Sequence, residues 1–598
     1  MCGIAGILIY RQTGAPVNRD ELLKIRDTMT VRGPDGAGLW IASEGHVGLA
    51  HRRLSIIDLS EIGAQPMASK DGRLRVVFNG EIYNYKQLRA ELQKKGYRFQ
   101  SQSDTEVLLH LYAEHGMDMV HSLRGMYAFA IWDESKKGLL LARDPFGIKP
   151  LYYADDGHAI RFASQVKALL QSPAIDTRPE PAGHVGFFLW GSVPEPYTLY
   201  KGIRALPAGS TLWVDGVGDI ALKGFFSAAE LLSGGGLNRS ASVVERQEQL
   251  RAALLDSVQH HLVADVPVGV FLSAGLDSTT LTALAAESSS ASLHTATLGF
   301  NEYRGTKNDE TVLAARVADH CRTTHHTRWV SREDFHNERK RLLKAMDQPT
   351  IDGVNSYFIS KAAVESGLKV AISGLGGDEL FGGYPSFQDI PSMVKLLSPL
   401  NIVPGLGRLF RWMSAPVLKH LTSPKYASLL EYGGTYGGAY LLRRGFFMPW
   451  ELPEILGDKI TREGWEELKP LMCLERTFHG VTTDRARISA LEMSWYMRNQ
   501  LLRDADWAGM AHSLEIRVPL VDVELMRRIA PLLTEKFPDK QDMARTPHIP
   551  LPAEILNRCK TGFSVPVREW LTQNGGRQVG ERGLRGWARE VYAHSQRH

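Results

Sequence analysis

Asp265-Val266-Pro267-Val268-Gly269-Val270-Phe271-Leu272-Ser273-Ala274-Gly275-Leu276-Asp277-Ser278 is a short β-branched run entering a loop of small residues, and the alanine-rich stretch from Thr279 to Glu287 continues it. The pattern reads as strand, tight turn and helix. Small residues let backbone N–H groups approach an anion, and a helix N-terminus favours negative charge at the same point. The chain contains no Gly-Lys dipeptide, which excludes a Walker A loop. Around this stretch, helix-like segments alternate with short apolar strands at Val268 to Leu272, Leu293 to Leu298 and Val370 to Ser373. That alternation predicts a doubly wound parallel sheet with its ligand site at the carboxyl ends of the strands.

The first half reads differently. Leu74 to Asn79, Met126 to Trp132 and Gly138 to Ala142 are strand-like, which suits a layered α/β sandwich. It starts Met1-Cys2-Gly3-Ile4-Ala5-Gly6. A thiol has a pKa near ~8.5, so it is mostly protonated at neutral pH, whereas an α-amino group near ~7.8 can take its proton. A cysteine exposed as residue one by methionine removal therefore carries nucleophile and base together. The bland alternative is a small buried apolar residue in a first strand.

Further along lie Arg32-Gly33-Pro34-Asp35, His51-Arg52-Arg53-Leu54-Ser55-Ile56, Asn79-Gly80-Glu81-Ile82-Tyr83-Asn84 and Ser103-Asp104-Thr105-Glu106. Taken singly, Asn79-Gly80 is a hairpin-turn signal, and Arg53 and Asp104 are surface charges. In this order behind Cys2, the set resembles the glutamine amidotransferases with an N-terminal cysteine nucleophile. The resemblance implies that Cys2 attacks the glutamine carboxamide, forms a glutamyl thioester and releases ammonia. It makes Asn79 and the Gly80 N–H the oxyanion hole, and gives glutamine binding to Arg53, Asn79, Glu81 and Asp104. Arg53 would take the α-carboxylate, to which a guanidinium fork is matched, and Asp104 the α-ammonium. Val31 departs from the family, which usually has histidine there.

Later motifs extend the resemblance. Val370-Ala371-Ile372-Ser373-Gly374-Leu375-Gly376-Gly377-Asp378-Glu379-Leu380-Phe381-Gly382-Gly383-Tyr384 is a strand entering a glycine-rich turn with two acids. The stretch Leu501 to Asp522 and Lys560-Thr561-Gly562-Phe563 follow. With Ser273 to Ser278, which resembles the pyrophosphate loop of enzymes that cleave ATP between the α and β phosphates, these look like a glutamine-hydrolysing asparagine synthetase, from Cys2 to about Leu571. The fold implied is α/β in two domains. The first is a four-layer α/β/β/α sandwich of the Ntn-hydrolase type. The second is a doubly wound parallel sheet of the adenine nucleotide α-hydrolase type with helical additions.

The same resemblance implies ATP and Mg²⁺. Leu272, Ser273, Gly275, Asp277, Ser278, Ser373 and Gly374 would bind ATP, Asp277 and Asp378 would hold Mg²⁺, and Lys560 would be catalytic, stabilising charge on the α-phosphate or leaving pyrophosphate. Read by themselves, Asp378-Glu379 also suit a helix N-terminus and Lys560 a solvated side chain. Leu375 replaces the acid that asparagine synthetases commonly carry in Ser-Gly-x-Gly, and leucine cannot move a proton. Ala274, Trp507 and Gly509 are smaller departures. Aspartate is the first expectation for the acceptor, with another carboxylate such as a sugar uronic acid, or an ATP-dependent cyclisation, as alternatives.

Boundaries are expected at 2–226 for the glutaminase, 227–242 for a Gly/Ser linker, 243–575 for the synthetase and 576–598 for a basic tail. Residues from about Pro385 to Pro470 read as proline-punctuated, apolar helices that cap the synthetase site or meet a second subunit in a homodimer; as a basic amphipathic element they would instead touch a lipid-linked acceptor. The 598 residues carry a formal net charge of +4, too balanced to imply a nucleic acid partner. Four scattered cysteines suit a reducing cytoplasm without disulfides. No run approaches the ~18 apolar residues of a membrane span, and no signal peptide is read. The partners expected are therefore small molecules: glutamine, the acceptor carboxylate and ATP.

Overall fold

The computed structural model describes residues 2–11, 16–234, 242–289, 292–402, 405–421, 423–558, 566, 569–570 and 584–596. Twelve strands build the first half: β1 (Gly3–Ile9), β2 (Gly36–Ile41), β3 (Val47–Arg53), β4 (Met67–Ala68), β5 (Leu74–Ile82), β6 (Gly125–Asp133), β7 (Gly138–Arg143), β8 (Tyr152–Asp155), β9 (Ala159–Ala163), β10 (Arg204–Ala205), β11 (Ser210–Val214) and β12 (Ile220–Gly224). They form two six-stranded antiparallel sheets, ordered β10-β8-β9-β1-β3-β2 and β12-β11-β7-β6-β5-β4. Ile4, Leu8, Leu49, Val77, Ala130 and Leu141 meet between the sheets in one apolar layer. The helix Arg19–Asp27 packs Leu22 and Ile25 on the outside of the first sheet, and the helix Asp104–His115 packs Val107, Leu108 and Leu111 on the outside of the second. This is the expected four-layer sandwich.

Five further strands, β13 (Val268–Phe271), β14 (His294–Phe300), β15 (Thr324–Val330), β16 (Val370–Ile372) and β17 (Glu515–Arg517), form one sheet ordered β15-β14-β13-β16-β17. All its pairings are parallel. The chain winds outward first through β14 and β15 and then through β16 and β17, so the order reverses between β13 and β16. In a sheet of this kind the crevice outside the carboxyl ends at the reversal is the ligand position. The loops Leu272–Gly275 and Ser373–Gly376 leave the sheet there.

Asn79 and Gly80 lie inside β5, paired with Ala128 and Tyr127, so neither forms a hairpin turn. The start of the expected linker is built into the core: Ala228–Ser233 is a helix with Ala228 and Leu232 buried. Residues 235–241 and, of the expected basic tail, 576–583 and 597–598 lie outside the described residues, while Arg585–Ser595 is a helix that buries Trp587. Cys2, Cys321 and Cys473 are free thiols. Among the described residues no helix is long and apolar enough to cross a membrane.

Candidate functional site

Cys2 sits at the entrance of β1, nearly buried, and its backbone N–H donates to Asn79 Oδ1 at 2.9 Å. Burial raises the pKa of its thiol, which the Arg53 charge partly opposes. The thiol therefore needs a base. His51 does not qualify: burial pushes it down to about 3, and its Nε2 faces Phe78 O at 3.2 Å. Asn79 is fully buried, and with Oδ1 occupied by Cys2 its Nδ2 has no partner among the described residues. An unspent amide donor beside a buried thiol suits an oxyanion. Gly80 follows at φ 152°, and a Cβ there would stand 2.0 Å from Met126 O, so only glycine keeps this strand in place.

Arg53 is buried at the end of β3 with its guanidinium held by the carbonyl oxygens of Asp58 and, at 2.7 Å, Ser60. Carbonyls orient the fork without cancelling its charge. Asp104 opens the helix Asp104–His115 and accepts from Ile82 N–H at 2.9 Å, while burial raises its pKa to about 6. Glu81 reaches across to Arg517 of β17, 3.5 Å away.

That contact belongs to a buried layer joining the two halves. Arg517 also binds Glu515 at 2.7 Å, and both side chains are fully buried. Arg32 donates from Nε to Cys2 O at 3.2 Å and from Nη1 to Asp506 at 2.7 Å. Asp506 lies in the helix Arg503–Met510, where its neighbour Ala505 lines the crevice at the reversal of the parallel sheet. Two bonded side chains thus lead from the cysteine backbone to the wall of the second site.

The second site is a cavity of about 260 Å³ at the reversal of the parallel sheet, lined among others by Leu272, Ser273, Gly275, Asp277, Ser278 and Asp378. Ser373 and Gly374 close its other side. Ser278 Oγ accepts from Ser273 N–H at 3.2 Å and stands 3.2 Å from Ser273 Oγ, which ties the loop into a ring of small polar groups. The two loops touch: a Cβ on Gly377 would lie 2.5 Å from Asp277 Oδ1. Asp378 and Glu379 stand in the first turn of the helix Gly377–Phe381, so that helix-terminal reading describes their place without excluding a ligand.

Lys540 was not singled out by motif, yet its ammonium bridges Asp277 and, at 2.9 Å, Asp378 Oδ1. Burial works to lower its pKa, but the two carboxylates outweigh it and leave the pKa raised. Lys560 lies outside the described residues. Leu375 lines the same cavity and is partly buried against the core. A run of π-helix, Glu492–Leu502, passes the cavity and contributes Leu501.

A buried Cys2 beside an orphaned amide, joined by a charged layer to a crevice at the reversal of a parallel sheet, is the arrangement expected of a glutamine amidotransferase coupled to a synthetase. The family models agree: residues 1–224 match the glutamine amidotransferase domain and residues 249–596 match asparagine synthase. The chain belongs to the glutamine-hydrolysing asparagine synthetase family. It is 32% identical to asparagine synthetase [glutamine-hydrolyzing] 1 of Bacillus subtilis, covering 100% of this chain and 90% of that one. Asparagine synthetase B [glutamine-hydrolyzing] of Escherichia coli is 34% identical over 66% of this chain and 67% of its own. Amidase chry2 of Gibberella zeae is 28% identical over 95% of this chain and 90% of its own.

Proposed function

We propose that the chain amidates a carboxylate with ammonia drawn from glutamine at Cys2, at the expense of ATP. With Met1 removed, the Cys2 amine takes the thiol proton and the thiolate adds to the glutamine carboxamide. Asn79 Nδ2 and the Gly80 N–H hold the oxyanion, Arg53 and Asp104 hold the two charged ends, and ammonia leaves behind a thioester that water hydrolyses to glutamate. In the second crevice an acceptor carboxylate oxygen attacks the α-phosphorus of ATP and expels pyrophosphate. Ammonia then attacks the acyl-adenylate carbonyl, AMP leaves, and one proton is released.

Leu272, Ser373 and Gly374 border the nucleoside in this reading, and Ser273, Gly275 and Ser278 face its phosphates. Asp277 and Asp378 suit Mg²⁺, because the same two carboxylates already share one cationic group, Lys540. Mg²⁺ would neutralise phosphate charge there, and Lys560 is assigned to the α-phosphate or pyrophosphate. The observation that carries the reading is Arg32, bonded at one end to Cys2 and at the other to Asp506 beside the nucleotide wall. The test is Cys2→Ala: glutamine-driven amidation is lost and ammonium-driven amidation is kept.

Aspartate is the acceptor that the relatives' names supply. Leu375 stands where the family resemblance places an acid, and that departure is the one motive for a second reading in which the acceptor is another carboxylate.

A further inference from the structure

A surface helix ordinarily turns its apolar stripe to the core. The helix Leu406–Leu421 has its faces exchanged. Gly407, Arg411 and Ser414 share its inner side: a Cβ on Gly407 would stand 2.5 Å from Glu431 Cα, Arg411 binds Glu431 at 2.7 Å, and Ser414 Oγ is buried. Leu409, Trp412, Met413 and Val417, at spacings of three and four, share the outer side. All four are more exposed than buried, Trp412 to 77%. The short helix Leu429–Tyr432 and its cap Gly433 form the support beneath. The helix Ser386–Leu397 rests on the same support, since a Cβ on Gly433 would lie 2.5 Å from Leu397 Cδ1, and it leaves Leu396 75% exposed.

An indole and three more large apolar side chains held out on one helix face mark a contact surface. Charge selects what covers it. Between Asp389 and Glu431 the sequence has no acid and five cations, Lys395, Arg408, Arg411, Lys419 and Lys425. The whole chain carries only +4, so outside this segment acids and bases nearly balance. Arg408 is exposed beside the stripe, and Lys395 is exposed next to Leu396. Glu431, the acid that Arg408 and Arg411 share, is mostly covered by the helix above it. A second copy laid on this face by a two-fold axis would set cations against cations, with no acid in either segment to meet them. An anionic bilayer answers both features, because acyl chains take the stripe and headgroup phosphates take the cations. Tryptophan, apolar with one N–H, suits that boundary.

We propose that the helix Leu406–Leu421 lies in the headgroup layer of an anionic membrane with Leu409, Trp412, Met413 and Val417 inserted, holding the enzyme at the bilayer surface. Among the described residues no helix is long and apolar enough to cross a membrane, so the contact lies in the plane of the interface. The proposal is independent of which carboxylate is amidated.

The test is flotation of the full chain with vesicles of phosphatidylcholine alone and of phosphatidylcholine with about one third phosphatidylglycerol. Binding to the anionic vesicles is expected to be at least tenfold tighter than to the neutral ones and to weaken as NaCl is added. Trp412→Ser/Met413→Ser should lose at least tenfold in that binding while keeping the melting temperature of the unaltered chain, because both side chains already face water. Arg408→Glu should weaken it as well. No binding to anionic vesicles overturns the proposal, and so does equal binding to neutral ones or equal binding by Trp412→Ser/Met413→Ser. A dimer in sedimentation equilibrium that Trp412→Ser/Met413→Ser converts to monomer also overturns it and gives the face to a second copy.

Discussion

The Cys2 backbone N–H and the Asn79 carboxamide oxygen are 2.9 Å apart, and this bond leaves Asn79 Nδ2 as a buried donor with no partner among the described residues. A donor that is unspent in the resting site and met only by developing negative charge lowers the barrier, not the ground state. Asn79→Ala is therefore expected to cut glutamine-dependent turnover by roughly 10² to 10³. Ammonium-dependent turnover serves as the control and should be unchanged; an equal loss in both would assign Asn79 to folding instead.

Asp104 makes glutamine use pH-dependent. Burial raises its pKa to about 6, so the carboxylate that would hold the α-ammonium is lost as pH falls through that value. The glutamine KM should rise below about pH 6 while the ammonium-driven rate follows its own profile. Stability has the opposite sign. The folded pKa stands above the ordinary carboxylate value near ~3.9, so this contribution is complete below about pH 4 and lost as pH rises through about 6. Asp104→Asn should flatten that portion of a denaturation series taken from pH 4 to 7.

Arg517 holds two fully or nearly buried acids, Glu515 at 2.7 Å and Glu81 at 3.5 Å, from opposite halves of the chain. Removing the shared cation from a buried ion cluster costs about 3–5 kcal/mol. Urea unfolding of Arg517→Leu should register a loss in that range. A loss under about 1 kcal/mol would mean that the layer is solvated in solution.

Lys540 shares Asp277 and Asp378 with the Mg²⁺ assigned to them. Lys540→Met takes one cation away from two adjacent acids, so MgCl₂ should raise the melting temperature of the variant more than that of the unaltered chain. Equal shifts would place the metal elsewhere.

Local patterns carried much of this. The strand, small-residue loop and helix around Ser273 and Gly275 announce themselves in a dozen residues, because chain direction and backbone access are local properties. Cys2, Arg53, Asn79 and Asp104 were different: each alone reads as strand, turn or surface charge, and only their order as a set, resembling a family, pointed to a site. Arg32 was visible as part of a motif, but its partner Asp506 is 474 residues away, and no spacing rule links them. Lys540 lies between loops rich in charge and proline, where one more lysine reads as surface. Residues 228–233 looked like linker because serines and glycines surround them, yet Ala228 and Leu232 supply enough apolar area to be drawn into the core. The π-helical run has no periodicity that distinguishes it from an ordinary helix, so its place along the crevice emerges only in three dimensions.

The coupling of the two sites is tested most directly with glutamine labelled in its amide nitrogen, Mg-ATP, and aspartate or a uronate offered separately, in the presence of excess unlabelled ammonium. The expected result is an amide product that keeps the glutamine label undiluted, with one AMP and one pyrophosphate per amide, and that loses the label in Cys2→Ala while still forming from ammonium. A product whose label matches the bulk ammonium pool, or glutamate release with no AMP from any acceptor, would contradict it.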